Sequence, residues 1–124
     1  MIVADTNVWV AYWTGESASD TMLVHSALQH KAAWMAPMIA SELLSDPTLP
    51  EHHRNTIMNL PAPELVEGYW IRVGSLRAFL FARQMRPKLV DSMIAQLCID
   101  HDATLVTRDV GFRRFTKAGL RLHK

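Results

Sequence analysis

The chain has 124 residues, 49% of them hydrophobic and 20% charged, with a single cysteine. That length and balance fit one domain with an ordinary globular core and exclude global disorder. Lone Cys98 excludes an internal disulfide framework and a multi-cysteine zinc site, and no apolar run approaches the ~18–20 residues of a membrane helix. The first apolar stretch, Met1 to Ala4, is broken at once by Asp5 and does not read as a signal peptide. The expectation is a soluble, reduced, cytoplasmic protein. Its net charge of +1 conceals a split: residues 1–71 carry two basic against eight acidic side chains, a local −6, and residues 72–124 eleven against four, a local +7. A basic segment of this kind is what a polyanion partner attracts, although it serves equally as a solubilising face.

Ile2 to Ala4 reads as a short buried strand opening into the loop Asp5-Thr6-Asn7, with a helix from Val8 to Trp13. Ser17-Ala18-Ser19-Asp20 offers N-cap chemistry for a second helix through about Gln29. Ala33 to Ala36 predicts a strand stopped by Pro37, followed by a helix from Met38 to Leu44. The proline-punctuated stretch 47–63 leaves room for one short helix, Glu51 to Asn59. Apolar residues at helical spacing predict a long helix over 66–85, which Arg86-Pro87 ends. Val90, Met93, Ile94, Leu97 and Cys98 mark one face of an amphipathic helix. Thr104 to Thr107 predicts a strand, Val110 to Phe115 a short helix and Leu120 to Leu122 a last edge strand. Short strands alternating with helices, without repeats or a dividing linker, predict a single α/β domain over residues 1–124 with a mostly parallel sheet.

In such sheets ligands collect beyond the carboxyl ends of the strands. Asp5 and Asp109 follow predicted strands, Asp91 opens a helix, and Glu42 lies on the helix after the second strand. Taken singly, Asp5 and Asp109 read as helix caps, Asp91 as a favourable charge at a helix N-terminus and Glu42 as a solvated helix charge. Brought to one edge, four carboxylates repel unless a cation intervenes, and hard oxygen ligands select Mg²⁺ or Mn²⁺.

In order along the chain, Val3-Ala4-Asp5-Thr6-Asn7-Val8, Ser41-Glu42-Leu43, Leu89-Val90-Asp91-Ser92-Met93-Ile94-Ala95-Gln96 and Leu105-Val106-Thr107-Arg108-Asp109-Val110-Gly111-Phe112 resemble the PIN-domain ribonucleases. Among these the chain is most similar to the VapC toxins of type II toxin–antitoxin modules. The resemblance implies a PIN-like α/β/α sandwich and Mg²⁺- or Mn²⁺-dependent endonucleolytic cleavage of RNA, leaving a 5′-phosphate and a 3′-hydroxyl. It implies Asp5, Asp91 and Asp109 as metal ligands and Glu42 as a fourth catalytic acid that binds metal directly or through water, or positions the attacking water. Thr6, Asn7 and Thr107 would orient those carboxylates. A cognate antitoxin and a homodimer are the implied protein partners. Residues 44–65 carry no motif that matches the family.

Two other classes compete with the nuclease: a PIN-like module that binds RNA or protein without turnover, and a receiver-like phosphoryl acceptor, for which no acid pair and lysine stand in suitable order. The six histidines form no metal-ligating or acid–base pattern; His52 and His53 are expected on different sides of a helix, and His101 at a helix end. Trp9 and Trp13, four residues apart, read as core or, with Met22 and Leu23, as a groove for a partner helix. Arg72, Arg77, Arg83, Arg86, Lys88, Arg108, Arg113, Arg114 and Lys117 are the residues expected to track an RNA backbone.

Overall fold

Strand β1 (Ile2–Ala4) is the axis of the structure, a computed structural model that describes residues 1–124. It pairs in parallel with β2 (Ala33–Trp34) on one side and β3 (Thr104–Val106) on the other, and β3 pairs in parallel with β4 (Arg121–Leu122), giving the order β2-β1-β3-β4. Parallel neighbours require crossovers, which here are helical. The connection from β1 to β2 runs through α1 (Thr6–Trp13) and α2 (Ser19–Gln29). That from β2 to β3 runs through α3 (Pro37–Leu44), α4 (Glu51–Asn59), α5 (Tyr69–Phe81) and α6 (Leu89–Asp100). A 3-10 helix, Val110–Ala118, joins β3 to β4. The result is the parallel α/β sheet that the pattern predicts, in the α/β/α sandwich that the resemblance implies. The chain leaves β1 toward one edge of the sheet and β3 toward the other, so the carboxyl ends of these neighbours form a topological switch point, where α/β proteins place ligands.

Val3, Ala4, Leu105 and Val106 are buried on both faces of the sheet, and Val8, Trp9, Ile39, Leu80, Leu97 and Phe112 fill the layers around them. Trp9 is wholly buried, so it belongs to the core and cannot line a partner groove. The amphipathic stripe of α6 is real, with Ile94, Leu97 and Cys98 buried, and burial pushes the Cys98 thiol up to about 12, which keeps it unreactive.

Several boundaries differ from expectation for local reasons. Helix α1 begins at Thr6, two residues early, because Asp5 is its N-cap and accepts from the Thr6 N–H at 2.9 Å. Strand β2 ends at Trp34, since Met35 donates instead to the Pro61 carbonyl and Ala36 caps α3, with Pro37 in its first turn. Helix α5 starts only at Tyr69, after Gly68 at φ 83°, and ends where Gln84 turns left-handed at φ 65°. There the Gln84 N–H reaches the Phe81 carbonyl and the Met85 N–H the Leu80 carbonyl, a Schellman closure. Lys31 and Asp102, at φ 53° and 52°, end the α2 and α6 segments in the same way, immediately before β2 and β3. The short helix after β3 is a 3-10 helix and runs on to Ala118.

The segment without a motif, residues 44–65, also finds its place. It forms α4, buries Ile57, and returns along the sheet edge through the Met35–Pro61 bond and a 2.6 Å bond from His101 Nε2–H to the Glu64 carbonyl. His52 and His53 do not diverge: their ring centroids are 4.1 Å apart, and His53 stacks on Trp13 at 4.3 Å.

Arg72 and Asp100 tie α5 to the end of α6. The guanidinium meets both carboxylate oxygens, at 2.9 and 2.6 Å, and also the Glu67 and Val66 carbonyls. Burial opposes the Asp100 charge, but the bonds from Arg72 and Gln96 outweigh it and hold the carboxyl below its ordinary value. A carboxyl with a lowered native pKa stabilises the fold above its unfolded value and loses that contribution as pH falls through the native one. Asp100→Asn should therefore cost about 1–2 kcal/mol in urea unfolding at pH 7. The gap to wild type should narrow below about pH 4. A pH-independent gap would exclude the ion pair as its source. Lys31→Gly, which relieves a left-handed conformation unfavourable to a side chain, should stabilise the protein by up to about 1 kcal/mol in the same assay.

Candidate functional site

Because β1 and β3 run side by side, the residues that follow them meet. The Asp5 N–H extends the ladder by donating to the Val106 carbonyl at 2.8 Å, and its carboxylate then lies beside Thr107. Thr107 donates its hydroxyl to Asp5 Oδ2 at 2.6 Å and accepts the Asp109 N–H at 3.1 Å. Asp109 in turn caps the 3-10 helix, its Oδ1 accepting from the Gly111 N–H at 2.8 Å. A Cβ at Gly111 would come within 3.0 Å of that oxygen and 3.1 Å of the Arg114 guanidinium, so glycine is what lets the two approach.

Asp91 sits in the first turn of α6, and Glu42 on α3 lines a cleft beside Thr6. Burial, then the charges of Glu42 and Asp109, raise the Asp5 carboxyl against the hydrogen bonds from Thr107 and Thr6. Burial, then Asp109 and Asp5, raise the Asp91 carboxyl, while Lys88 and Arg114 pull it down. Asp5 thus feels the charges of Glu42 and Asp109, and Asp91 those of Asp109 and Asp5, and none of the four takes part in an ion pair.

This donor set suits a hard divalent cation in ligand type and charge. The Thr6 hydroxyl, buried without a hydrogen-bond partner, is a further oxygen left for water or a ligand. The side chains are not closed around a centre, however: no three His, Cys, Asp or Glu groups stand close enough to hold an ion as they are.

Of the three expected orienting residues, Thr107 holds the Asp5 carboxylate directly. Thr6 does so through its backbone N–H and not its hydroxyl. The Asn7 side chain accepts from the Arg108 N–H at 3.4 Å and touches no carboxylate. Two residues expected on RNA are held in ion pairs within the protein. Arg72 clamps Asp100, and Arg108 binds Asp20 at 2.7 and 3.1 Å and Glu16 at 3.0 Å. The Arg108 clamp fixes the Thr107–Asp109 loop to the α1–α2 turn. Its partners are 88 residues or more away along the chain, and no spacing in the sequence announces them.

The sequence matches the PIN domain over residues 2–118, and the chain belongs to that family. Membership removes the receiver-like alternative. Among solved structures, VapBC2 from Rickettsia felis bound to a DNA fragment from its promoter is similar at 20% identity and a TM-score of 0.75, over 99% of this chain and 98% of that one. FitAcB from Neisseria gonorrhoeae is similar at 19% identity and a TM-score of 0.71, over 100% and 97% of the two chains. FitAB bound to an IR36 DNA fragment follows at 17% and 0.68, over 99% and 94%. No sequence match is found among curated proteins.

Mutual repulsion among these acids has a measurable consequence. Asp91→Asn removes one of the crowded charges, so in EDTA its thermal midpoint should rise by about 2–4 °C over wild type, read by circular dichroism. An unchanged or lower midpoint would mean that Asp91 is not under electrostatic stress.

Proposed function

We propose that this protein is a divalent-metal-dependent endoribonuclease, the toxin of a type II toxin–antitoxin pair. The observation that supports the reading best is that Asp5 feels the charges of Glu42 and Asp109, and Asp91 those of Asp109 and Asp5, beside the carboxyl ends of β1 and β3, with none of the four in an ion pair. Asp5, Asp91 and Asp109 would hold Mg²⁺ or Mn²⁺. When bound, such an ion supplies activated water and charge neutralisation at the scissile phosphate. The chain supplies the rest. Thr107 keeps the Asp5 carboxylate aimed, and Gly111 keeps Asp109 seated on the 3-10 helix. Glu42 takes the proton of the attacking water. Lys88 and Arg114, the cations that act on Asp91, bind the phosphate oxygens. Hydrolysis forms a bond from the water oxygen to phosphorus and breaks the bond to the 3′ oxygen, which takes a proton from solvent water, and Glu42 gives its proton back to solvent.

Likeness of fold to VapBC2 and FitAB supports the toxin role and a cognate antitoxin as partner. The exposed apolar side chains Trp70 and Ile71, 57% and 76% accessible, offer a face for a homodimer. A module that binds RNA without turnover is the second reading, favoured by the open spacing of the carboxylates.

A mixed RNA pool incubated with antitoxin-free protein in Mg²⁺, Mn²⁺ or EDTA separates the two. The nuclease predicts metal-dependent cuts that slow about 10–100-fold in Thr107→Val and further still in Asp5→Asn and Asp91→Asn. Cleavage that persists in EDTA, or intact RNA in every lane alongside measurable RNA binding, would sink it.

A further inference from the structure

Residues 68–90 hold the basic side chains Arg72, Arg77, Arg83, Arg86 and Lys88 and not one acid. Arg72 is neutralised by Asp100, and none of the others takes part in an ion pair. Two of them come together where α5 ends. The guanidinium carbons of Arg77 and Arg86 lie 4.9 and 5.2 Å from the centre of one ring, that of Phe81, which is 37% accessible. Arg86 donates through Nη1 to the Phe81 and Met85 carbonyls, at 3.4 and 3.1 Å, and Arg77 through Nη2 to the Pro87 carbonyl, at 3.4 Å. Carbonyls at a helix C-terminus favour a cation, but here they leave two full charges uncompensated and most of the guanidinium donors unfilled. Arg83 is elsewhere, over the Phe79 ring at 3.6 Å, and residues two apart on a helix point to nearly opposite sides.

Cations gathered at one ring without a counterion repel each other, and bound anions remove that repulsion. Ring and carbonyls already hold both guanidiniums in place, so each gives up less freedom on binding than a solvated arginine would, and the guanidinium fork matches phosphate oxygens. The pair also stands on the approach to the carboxylate edge. Arg86 precedes Lys88 by two residues, at most about 7 Å along the chain, and the Lys88 charge acts on Asp91. An acidic protein segment laid over these cations would run on into Asp91 and its neighbours, whereas an RNA strand meets those acids through the metal they would hold. We propose that Arg77, Phe81 and Arg86 form a subsite for the phosphate backbone of RNA, holding the strand next to the scissile phosphate. The place beside the scissile phosphate rests on the nuclease reading; backbone binding at the Phe81 ring does not.

The test uses Asp91→Asn protein in EDTA, so that binding is read without turnover. Affinity for a labelled oligouridylate is followed by fluorescence anisotropy across a potassium chloride series. Adding Arg86→Gln should lower the slope of log Kd against log salt by about 0.7 and weaken binding about 5–10-fold at about 50 mM salt, and Arg77→Gln should do the same. Arg86→Lys, which keeps the charge, should keep the slope. Arg54→Gln removes an equal charge from the exposed face of α4 and should change neither quantity. Arg86 is exposed, so its substitution leaves the fold intact, checked by an unchanged thermal midpoint. A slope indifferent to Arg86→Gln, an equal loss in Arg54→Gln, or no binding of the oligomer at all would overturn the subsite. So would a glutamate-rich peptide that binds more tightly than the oligomer and loses that affinity in Arg86→Gln, the behaviour of a protein-docking face. The expected slopes with no RNA cut by the wild type sink the nuclease and keep the subsite. Metal-dependent cuts with a slope indifferent to Arg86→Gln do the reverse.

Discussion

The parallel pairing of β1 with β3 is the constraint on which the site depends. Its register, Ala4 opposite Val106, sets Asp5 opposite Thr107 one step beyond the last paired residues. Their 2.6 Å hydrogen bond is therefore a continuation of the sheet in side-chain form. A slip of one residue in this pairing would turn Asp5 away from the edge and its neighbours into the core. The hydrophobic packing of Val3, Leu105 and Val106 consequently guards the placement of the carboxylate as well as the stability of the sheet.

Charge is organised around that edge in two ways. Most acids that are not part of the edge group are neutralised locally or held by hydrogen bonds: Asp100 by Arg72, Asp20 and Glu16 by Arg108, Asp102 by Arg121, Asp46 by Thr48. Within the edge group Asp5 is raised by burial and by Glu42 and Asp109 against the hydrogen bonds from Thr107 and Thr6, and Asp91 by burial and by Asp109 and Asp5 against Lys88 and Arg114. Removing a charge from water without an ion pair is costly, and the fold does so with Asp5 beside the switch point. The sequence-wide split between an acidic first half and a basic second half is only partly a surface for partners. Arg108 shows that some of it is internal, with the basic half pairing back onto the acidic one.

What was legible beforehand follows from how far each signal reaches along the chain. Periodicity and end signals are local, so the α3, α4 and α6 segments and all four strands were readable to within a few residues. The span of α5 was overread because Gly68 and Gln84 close it through backbone conformation, and a left-handed glutamine has no sequence signature. The edge acids were singled out by the motif order of the family, three of them, Asp5, Asp91 and Asp109, beside a strand or helix end. The Arg108 clamp and the Trp13–His53 stack were not legible, because each depends on a tertiary neighbour whose place in the fold was unknown. Trp9 shows the limit from the other side: residues four apart on a helix share a face, yet spacing does not say whether that face looks at solvent or at the sheet.

The separation between Asp5 and Thr107, 102 residues, has a consequence in time. At a synthesis rate of 5–20 residues per second, roughly 5–20 s pass between the making of one partner and the other. During that interval β1 has no β3 to pair with, Asp5 has no hydroxyl to hold it, and Asp109 does not yet exist. The carboxylate edge is thus a property of a nearly finished polypeptide and is absent from the nascent one. Whatever the edge confers begins only after most of the chain has been made.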